Sequence, residues 1–154
     1  MKLLSIILFL SAFHNEPATV PDIAVVRRLY VQAPAEEEKC QALLQMVNGY
    51  SPANNPTLAG YKAAATMIMA KHTFNPFSKL SHFNKGKNML QQSITADNDN
   101  LELRFLRYSI QKSAPSFLGY RGELAADENF LKTNLPSLQD AVLRQMILDA
   151  LKLR

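Results

Sequence analysis

The sequence contains no tryptophan, a single cysteine and five glycines among its 154 residues. One cysteine excludes an internal disulfide, and so few glycines argue against a glycine-rich β-barrel or β-propeller. Hydrophobic residues make up 47% and charged residues 19%, so the chain is neither disordered nor collagen-like. The net charge of +4 is spread along the chain without a run of five basic residues, so we expect no nucleic-acid partner.

The N-terminus carries an apolar stretch at residues 3–13, which follows Met1 and Lys2. A positive charge followed by roughly 7–15 apolar residues is typical of a secretory signal, and the stretch is shorter than the ~20 residues of a membrane span. We predict a signal peptide at residues 1–18, export to the periplasm or beyond, and no transmembrane segment in the mature chain. The alternative is a buried amphipathic helix of a cytoplasmic protein.

Beyond the leader, apolar residues recur at helical spacing between proline and asparagine breaks. No stretch alternates apolar and polar residues as a half-buried strand does. We therefore predict an all-α domain at residues 19–154, built of antiparallel helical hairpins in a repeat array or an irregular bundle. The predicted helices are residues 21–32, 35–48, 57–73, 76–96, 101–112 and 123–133, and a seventh from residue 136 to the C-terminus.

Residue types at the ends of these helices predict how they begin and stop. Pro21 and Pro76 suit a first helical position, where the missing N–H has no helical partner in any case. Asn75 is expected to cap the fourth helix. Gly49 is expected to end the second helix in a left-handed conformation.

One segment, GKNMLQQSITADNDN, resembles the second helix and exit turn of a tetratricopeptide repeat. Gly86, Leu90 and Ser93 stand where that family places small, large and small residues, and Asn98 and Asn100 lie in the turn, where proline is usual. The resemblance covers about 35 residues, and no second copy follows at the family's period of ~34 residues. It is similar to the degenerate repeats of small secreted bacterial proteins, and implies a helical-hairpin array with a protein-binding role and no activity.

The sequence shows no pattern of catalytic or metal-binding residues. Cys40 follows three glutamates, which raise a thiol pKa, so we interpret it as a small core residue. His72 and His82 have no paired cysteine or acidic cluster nearby, whereas a zinc site needs three or four ligands. No nucleophile elbow, P-loop or dinucleotide fingerprint occurs. We expect no enzyme activity, no metal and no cofactor.

Four polar residues in and after the fifth helix form a first candidate binding site. Arg104, Arg107 and Gln111 share one ridge of that helix, and Arg121 follows in the next loop. Arginines on an otherwise buried helix can hold a carboxylate or phosphate bidentately. The alternative is pairing inside the protein with nearby acidic residues, which are Asp97, Asp99 and Glu123.

Two loops rich in aromatic residues form a second candidate. Phe77 lies at the end of one, at residues 74–77, and Phe117 and Tyr120 lie in the other, at residues 115–120. If the aromatic rings are exposed together, they form a binding patch. If they pack against each other, they join two helical hairpins.

These observations favour an exported interaction or scaffold module that binds a protein or peptide partner. The alternative is a helical carrier of a small anionic or amphiphilic ligand. In that case Met67, Met69 and Met89 would help to enclose a cavity, and Arg104 or Arg107 would hold the acid group.

Deleting residues 1–12 distinguishes the two interpretations of the N-terminus. A signal contributes nothing to the core, so we expect an unchanged melting temperature. A core helix would bury several large side chains at about 1.5–3 kcal/mol each, and its loss would exceed the ~5–15 kcal/mol margin of a typical domain. Thermal melts of both chains measure the difference. Intact-mass analysis of protein from the native host is the independent check, and a cytoplasmic chain that retains Lys2 contradicts export.

Overall fold

The protein is all-helical in the computed structural model, which describes residues 20–152. The predicted leader lies outside the described residues. Seven α-helices and two short 3₁₀ segments, at Ser116–Leu118 and Leu135–Ser137, make up the described part, and it contains no strand. The α-helices are α1 (Ile23–Gln32), α2 (Glu37–Met46), α3 (Pro56–His72), α4 (Pro76–Ala96), α5 (Leu101–Ser113), α6 (Leu124–Asn134) and α7 (Ala141–Leu151). The predicted all-α class is confirmed.

Capping by asparagine and proline starts α4 as predicted. The Asn75 side chain accepts hydrogen bonds from the backbone N–H groups of Phe77 and Ser78, and Pro76 is the first helical residue. These contacts satisfy donors that no helical carbonyl reaches. The end of α4 at Ala96 also agrees with the prediction.

The predicted boundaries of the first two helices are wrong. The first helix begins at Ile23 rather than Pro21, because Asp22 caps it through the N–H of Ala24. The second ends at Met46, and Gly49 does not adopt a left-handed conformation; the described glycine with positive φ is Gly119, at 61°.

The predicted start of the seventh helix at Pro136 is also wrong. Leu135–Ser137 forms a 3₁₀ turn that continues from α6, and α7 begins at Ala141. Asp140 is the N-cap, because its carboxylate accepts a hydrogen bond from the N–H of Leu143 at 2.9 Å. Aspartate is among the preferred N-cap residues, because its carboxylate accepts a hydrogen bond from a backbone N–H of the first turn. Here that residue, and not Pro136 four positions earlier, begins the helix.

Helix α3 lies at the centre of the fold. Ten of its 17 residues are buried, and they occur on all its sides, as expected of a helix enclosed by neighbours. It packs against α1, α2, α4 and α5, while α5 in turn packs against α6 and α7. One hydrophobic core takes residues from all seven helices.

The hairpin of α3 and α4 is the tightest contact between helices. A connection of residues 73–75 joins the two helices, and they pack along their length. Gly86 on α4 lies against the backbone of Ala63 and Met67 on α3. Ala63, at this contact, is itself small and fully buried. No helix within residues 20–152 is long and apolar enough to cross a membrane.

Replacing Gly86 with alanine is expected to destabilise the protein. An added Cβ would lie 2.6 Å from the Ala63 carbonyl oxygen and 2.9 Å from the Met67 nitrogen, so the backbones of α3 and α4 would have to separate. Overpacking of this kind costs about 1–3 kcal/mol. Urea unfolding measures the loss.

Gly122→Ala is the matched control, since a Cβ there meets nothing within 4 Å. We expect it to change stability by less than about 0.5 kcal/mol. Equal unfolding midpoints for Gly86→Ala and Gly122→Ala would contradict the close packing of α3 on α4.

Candidate functional site

The arginine ridge of α5 is paired inside the protein. Asp127 of α6 is fully buried, and its carboxylate accepts hydrogen bonds from Arg104 Nε at 2.6 Å and from Arg107 Nε and Nη2 at 2.6 and 2.7 Å. Glu123 is more distant, at 3.9 Å from Arg107 Nη2. The interpretation that these arginines pair with acidic residues inside the protein is therefore correct. Their main acceptor, however, is Asp127 rather than Asp97, Asp99 or Glu123. Hydrogen bonding to Asp127 raises the pKa of Arg107 against the lowering effect of burial.

The other two residues of this candidate do not join the arginines. Gln111 is buried, and its side-chain oxygen has no hydrogen-bond partner among residues 20–152. Arg121 is exposed, and its guanidinium donates to the Ala114 carbonyl at 3.1 Å. The four residues therefore do not form one site, and their role in binding a partner stays a prediction.

A second buried charge cluster, which the sequence analysis missed, joins four helices. Arg27 of α1 donates through Nε and Nη2 to Glu102 of α5 at 2.7 and 2.9 Å, and through Nη1 to Asp140 at 2.8 Å. The Tyr61 hydroxyl of α3 donates to the same Glu102 carboxylate. Burial, reinforced by the Glu102 charge, raises the pKa of Tyr61. Asp140, the cap of α7, has a lowered pKa, because its carboxylate accepts from the Leu143 N–H and from Arg27.

The two aromatic loops differ from each other in packing. Phe74 is 98% exposed, Phe77 86% and Phe117 85%. Tyr120 is half-buried, and its ring meets Phe83 of α4 edge-on at a centroid distance of 5.5 Å. The packed alternative therefore holds for Tyr120, whereas the three phenylalanines are exposed.

An apolar groove of about 670 Å³ has Phe117 in its lining, whereas Phe74 and Phe77 are only close in the chain to its lining residues Pro76 and Lys79. Residues of α1, α3, α4, α5 and the loop at 114–118 line it. Its buried side chains come from four helices and the loop after α5, and they are Tyr30, Met67, Ile68, Phe83, Ile110 and Ala114. Leu80 and Phe117 are exposed side chains in its lining, with 51% and 85% of their surface accessible. A concave apolar site of this volume falls within the range of roughly 300–1,000 Å³ found for ligand sites.

The polar groups of the groove are cations and hydroxyls. Lys71 and Lys79 line it, and no acidic residue does so in the part of the chain that the structure describes. Burial raises the pKa of Tyr30 to about 12, an effect that the Ser109 hydroxyl beside it partly offsets. The groove therefore offers hydrogen-bond donors and positive charge, which suit an anionic group.

Of the candidate residues chosen from the sequence, Met67 and Phe117 line the groove, whereas Phe77, Tyr120, Met69 and Met89 do not. Phe77 and Phe117 were identified from the composition of the loops. Ser109 and Ile110 appeared as ordinary members of a helix, and Lys71 and Lys79 as ordinary surface residues. These residues are distinguished only by their proximity in the folded protein, which their spacing along the chain does not predict.

Cys40 and His72 both contact backbone carbonyl groups inside the protein. Cys40 is fully buried and its thiol donates to the Ala65 carbonyl, which confirms it as a core residue. Burial, with a smaller contribution from Glu37, raises its pKa to about 11. His72 Nε2 lies 2.8 Å from the Ala33 carbonyl oxygen. Within residues 20–152, no group of three histidine, cysteine or acidic side chains is placed to hold a metal ion.

Comparisons of the chain with protein-family models, curated proteins and solved structures found no match. The geometry of the groove is accordingly the basis for a functional proposal.

Asp127→Asn is expected to destabilise the protein strongly. The substitution leaves Arg104 and Arg107 without their buried counter-charge, and breaking a buried ion pair from one side costs about 3–5 kcal/mol. The neighbouring Glu128 pairs with Lys132 on the exposed face of the same helix. Glu128→Gln is therefore the control, for which we expect no measurable change. Equal urea midpoints for the two variants would show that the Asp127 cluster does not hold α5 to α6.

Proposed function

We propose that this protein is an exported helical module that binds a segment of a partner protein in the apolar groove, without catalysing a reaction. The observation that carries the proposal is an apolar groove whose lining combines buried side chains with the exposed Leu80 and Phe117. The exposed Phe74 and Phe77 are close in the chain to its lining residues Pro76 and Lys79. Exposed apolar surface at a groove is typical of a binding site.

The exposure of the rings favours a protein segment over a small molecule. A ligand held between Ile68 and Ile110 would fill the groove and leave Phe74 and Phe77 in water. A partner segment laid over the groove covers these rings as well. Full burial of one such side chain is worth about 1.5–3 kcal/mol, so each ring that a partner covers adds to the gross interaction that must offset the ~4–15 kcal/mol cost of association.

Features of the sequence support the setting and the class of partner. The apolar stretch at residues 3–13 after Lys2 supports export. The resemblance of the segment around Gly86 to a tetratricopeptide repeat supports protein binding, since such repeats stack into binding surfaces.

A carrier function is the second candidate, and it has its own supporting observation. The apolar groove is large enough for an acyl chain, and Lys71 and Lys79 in its lining are positively charged. The head group would then lie at the lysines. Arg104 and Arg107, which the sequence suggested for this role, contact Asp127 instead.

Site-specific photo-crosslinking in the native host tests the proposal. A benzophenone amino acid at position 77 or 117 is expected to capture one protein, which is then purified and its affinity for the wild-type chain measured. Phe77→Ser combined with Phe117→Ser removes two exposed rings and is expected to weaken binding at least about tenfold, or about 1.4 kcal/mol.

Val142→Ser is the matched control, since this exposed apolar residue lies on α7 and does not line the groove. We expect it to leave the affinity unchanged. Equal losses in both variants, or crosslinks to a co-purifying lipid together with a fatty-acid adduct in native mass spectra, would contradict the proposal; the second result favours the carrier.

A further inference from the structure

The charges around the groove define the chemistry of its occupant, if the groove binds a protein segment as proposed above. Lys71, near the end of α3, and Lys79, in the second turn of α4, both line the groove and are both exposed. The contributions of α1, α5 and the loop at 114–118 to the lining are uncharged. The lining therefore carries two positive charges and no negative one among the described residues.

The two lysines lie close to the ends of α3 and α4 that the connection joins. They flank the connection between α3 and α4, which carries the fully exposed Phe74. Neither lysine forms a salt bridge or hydrogen bond with another described residue, unlike Lys112, which donates to the Ala150 carbonyl. Both ammonium groups are thus available to an acidic partner, and at an interface such charges select the partner's sign more than they add affinity.

The backbone of the groove wall restricts the conformation of the occupant. The wall consists mainly of α3, α4 and α5, whose interior N–H and C=O groups are used within each helix. An extended peptide would bury backbone groups there without partners, at a cost comparable to lost hydrogen bonds. A helix satisfies its own backbone and presents apolar side chains at positions i, i+3, i+4 and i+7.

We infer that the groove binds an amphipathic helix that carries acidic side chains beside its apolar stripe. The apolar stripe enters between Ile68 and Ile110 and passes under Phe117. The acidic side chains meet Lys71 and Lys79 close to the connection between α3 and α4.

A peptide selection tests this inference on the full chain. The displayed library has leucine at i, i+3, i+4 and i+7, and glutamate, lysine, glutamine or alanine at all other positions. We expect the peptides retained by the wild-type chain to be enriched in glutamate over lysine. Fluorescence anisotropy on the best peptide should then show affinity about tenfold lower for the double variant Lys71→Glu and Lys79→Glu. Selection on that double variant should retain lysine-rich peptides instead.

Two controls separate charge and helical shape from other causes. Lys85→Glu combined with Lys152→Glu changes the net charge equally at exposed positions outside the groove, and it should bind like the wild type. A peptide of the same composition with leucine at every second position should not bind.

The outcomes distinguish this inference from the proposed function. Peptides that depend on Phe77 and Phe117 but show no acidic enrichment, or that bind the Lys71 and Lys79 double variant normally, overturn the acidic partner and leave the groove as a binding site. Equal binding of the alternating peptide overturns the helical occupant. The proposed function itself fails if the chain retains no more peptide than an unrelated helical protein does. It also fails if the double variant Phe77→Ser and Phe117→Ser retains peptides as well as the wild type.

Discussion

The fold depends on the buried charges of α5, each of which finds its partner on another helix. Glu102 accepts a bidentate hydrogen bond from Arg27 of α1, and Arg107 donates two hydrogen bonds to Asp127 of α6. A buried ion pair adds little net stability, because taking two charges out of water costs nearly what their attraction returns. Any other placement of α5 would leave those charges buried and unpaired. The pairs therefore fix the position of α5 more than they strengthen the fold.

The position of α5 in turn creates the groove. With α5 held between α1 and α6, its residues Ser109 and Ile110 form one wall beneath the loop at 114–118. The opposite wall belongs to the first turns of α4. The buried residues of α4 begin only at Phe83, so Phe77 and Leu80 are exposed although they belong to a long, regular helix. Gly86 allows the later part of α4 to pack closely on α3, and the first turns of α4 line the groove.

The contrast between the arginine ridge and the groove lysines explains where binding is to be sought. Arg104 and Arg107 looked suited to an anion because arginines stood on a buried helix, yet a buried arginine is tolerated largely because an acid inside the protein meets it. Asp127 is that acid. Lys71 and Lys79 stand at the surface without a described acidic neighbour, so their charge is available to a second molecule. An unpaired charge beside exposed apolar surface therefore indicates a binding site better than arginines on a buried helix do.

Features that act over a few residues were predictable from the sequence alone. Helical periodicity predicted an all-α chain, and the Asn75 cap with Pro76 located the start of α4, since a cap and its helix are neighbours in the chain. The remaining features arise from contacts between helices. The partner of the arginines at 104 and 107 lies on another helix, and the groove combines residues from Tyr30 to Leu118. Burial and pairing depend on which helices meet, and that is settled by the packing of the whole core rather than by the spacing within any segment.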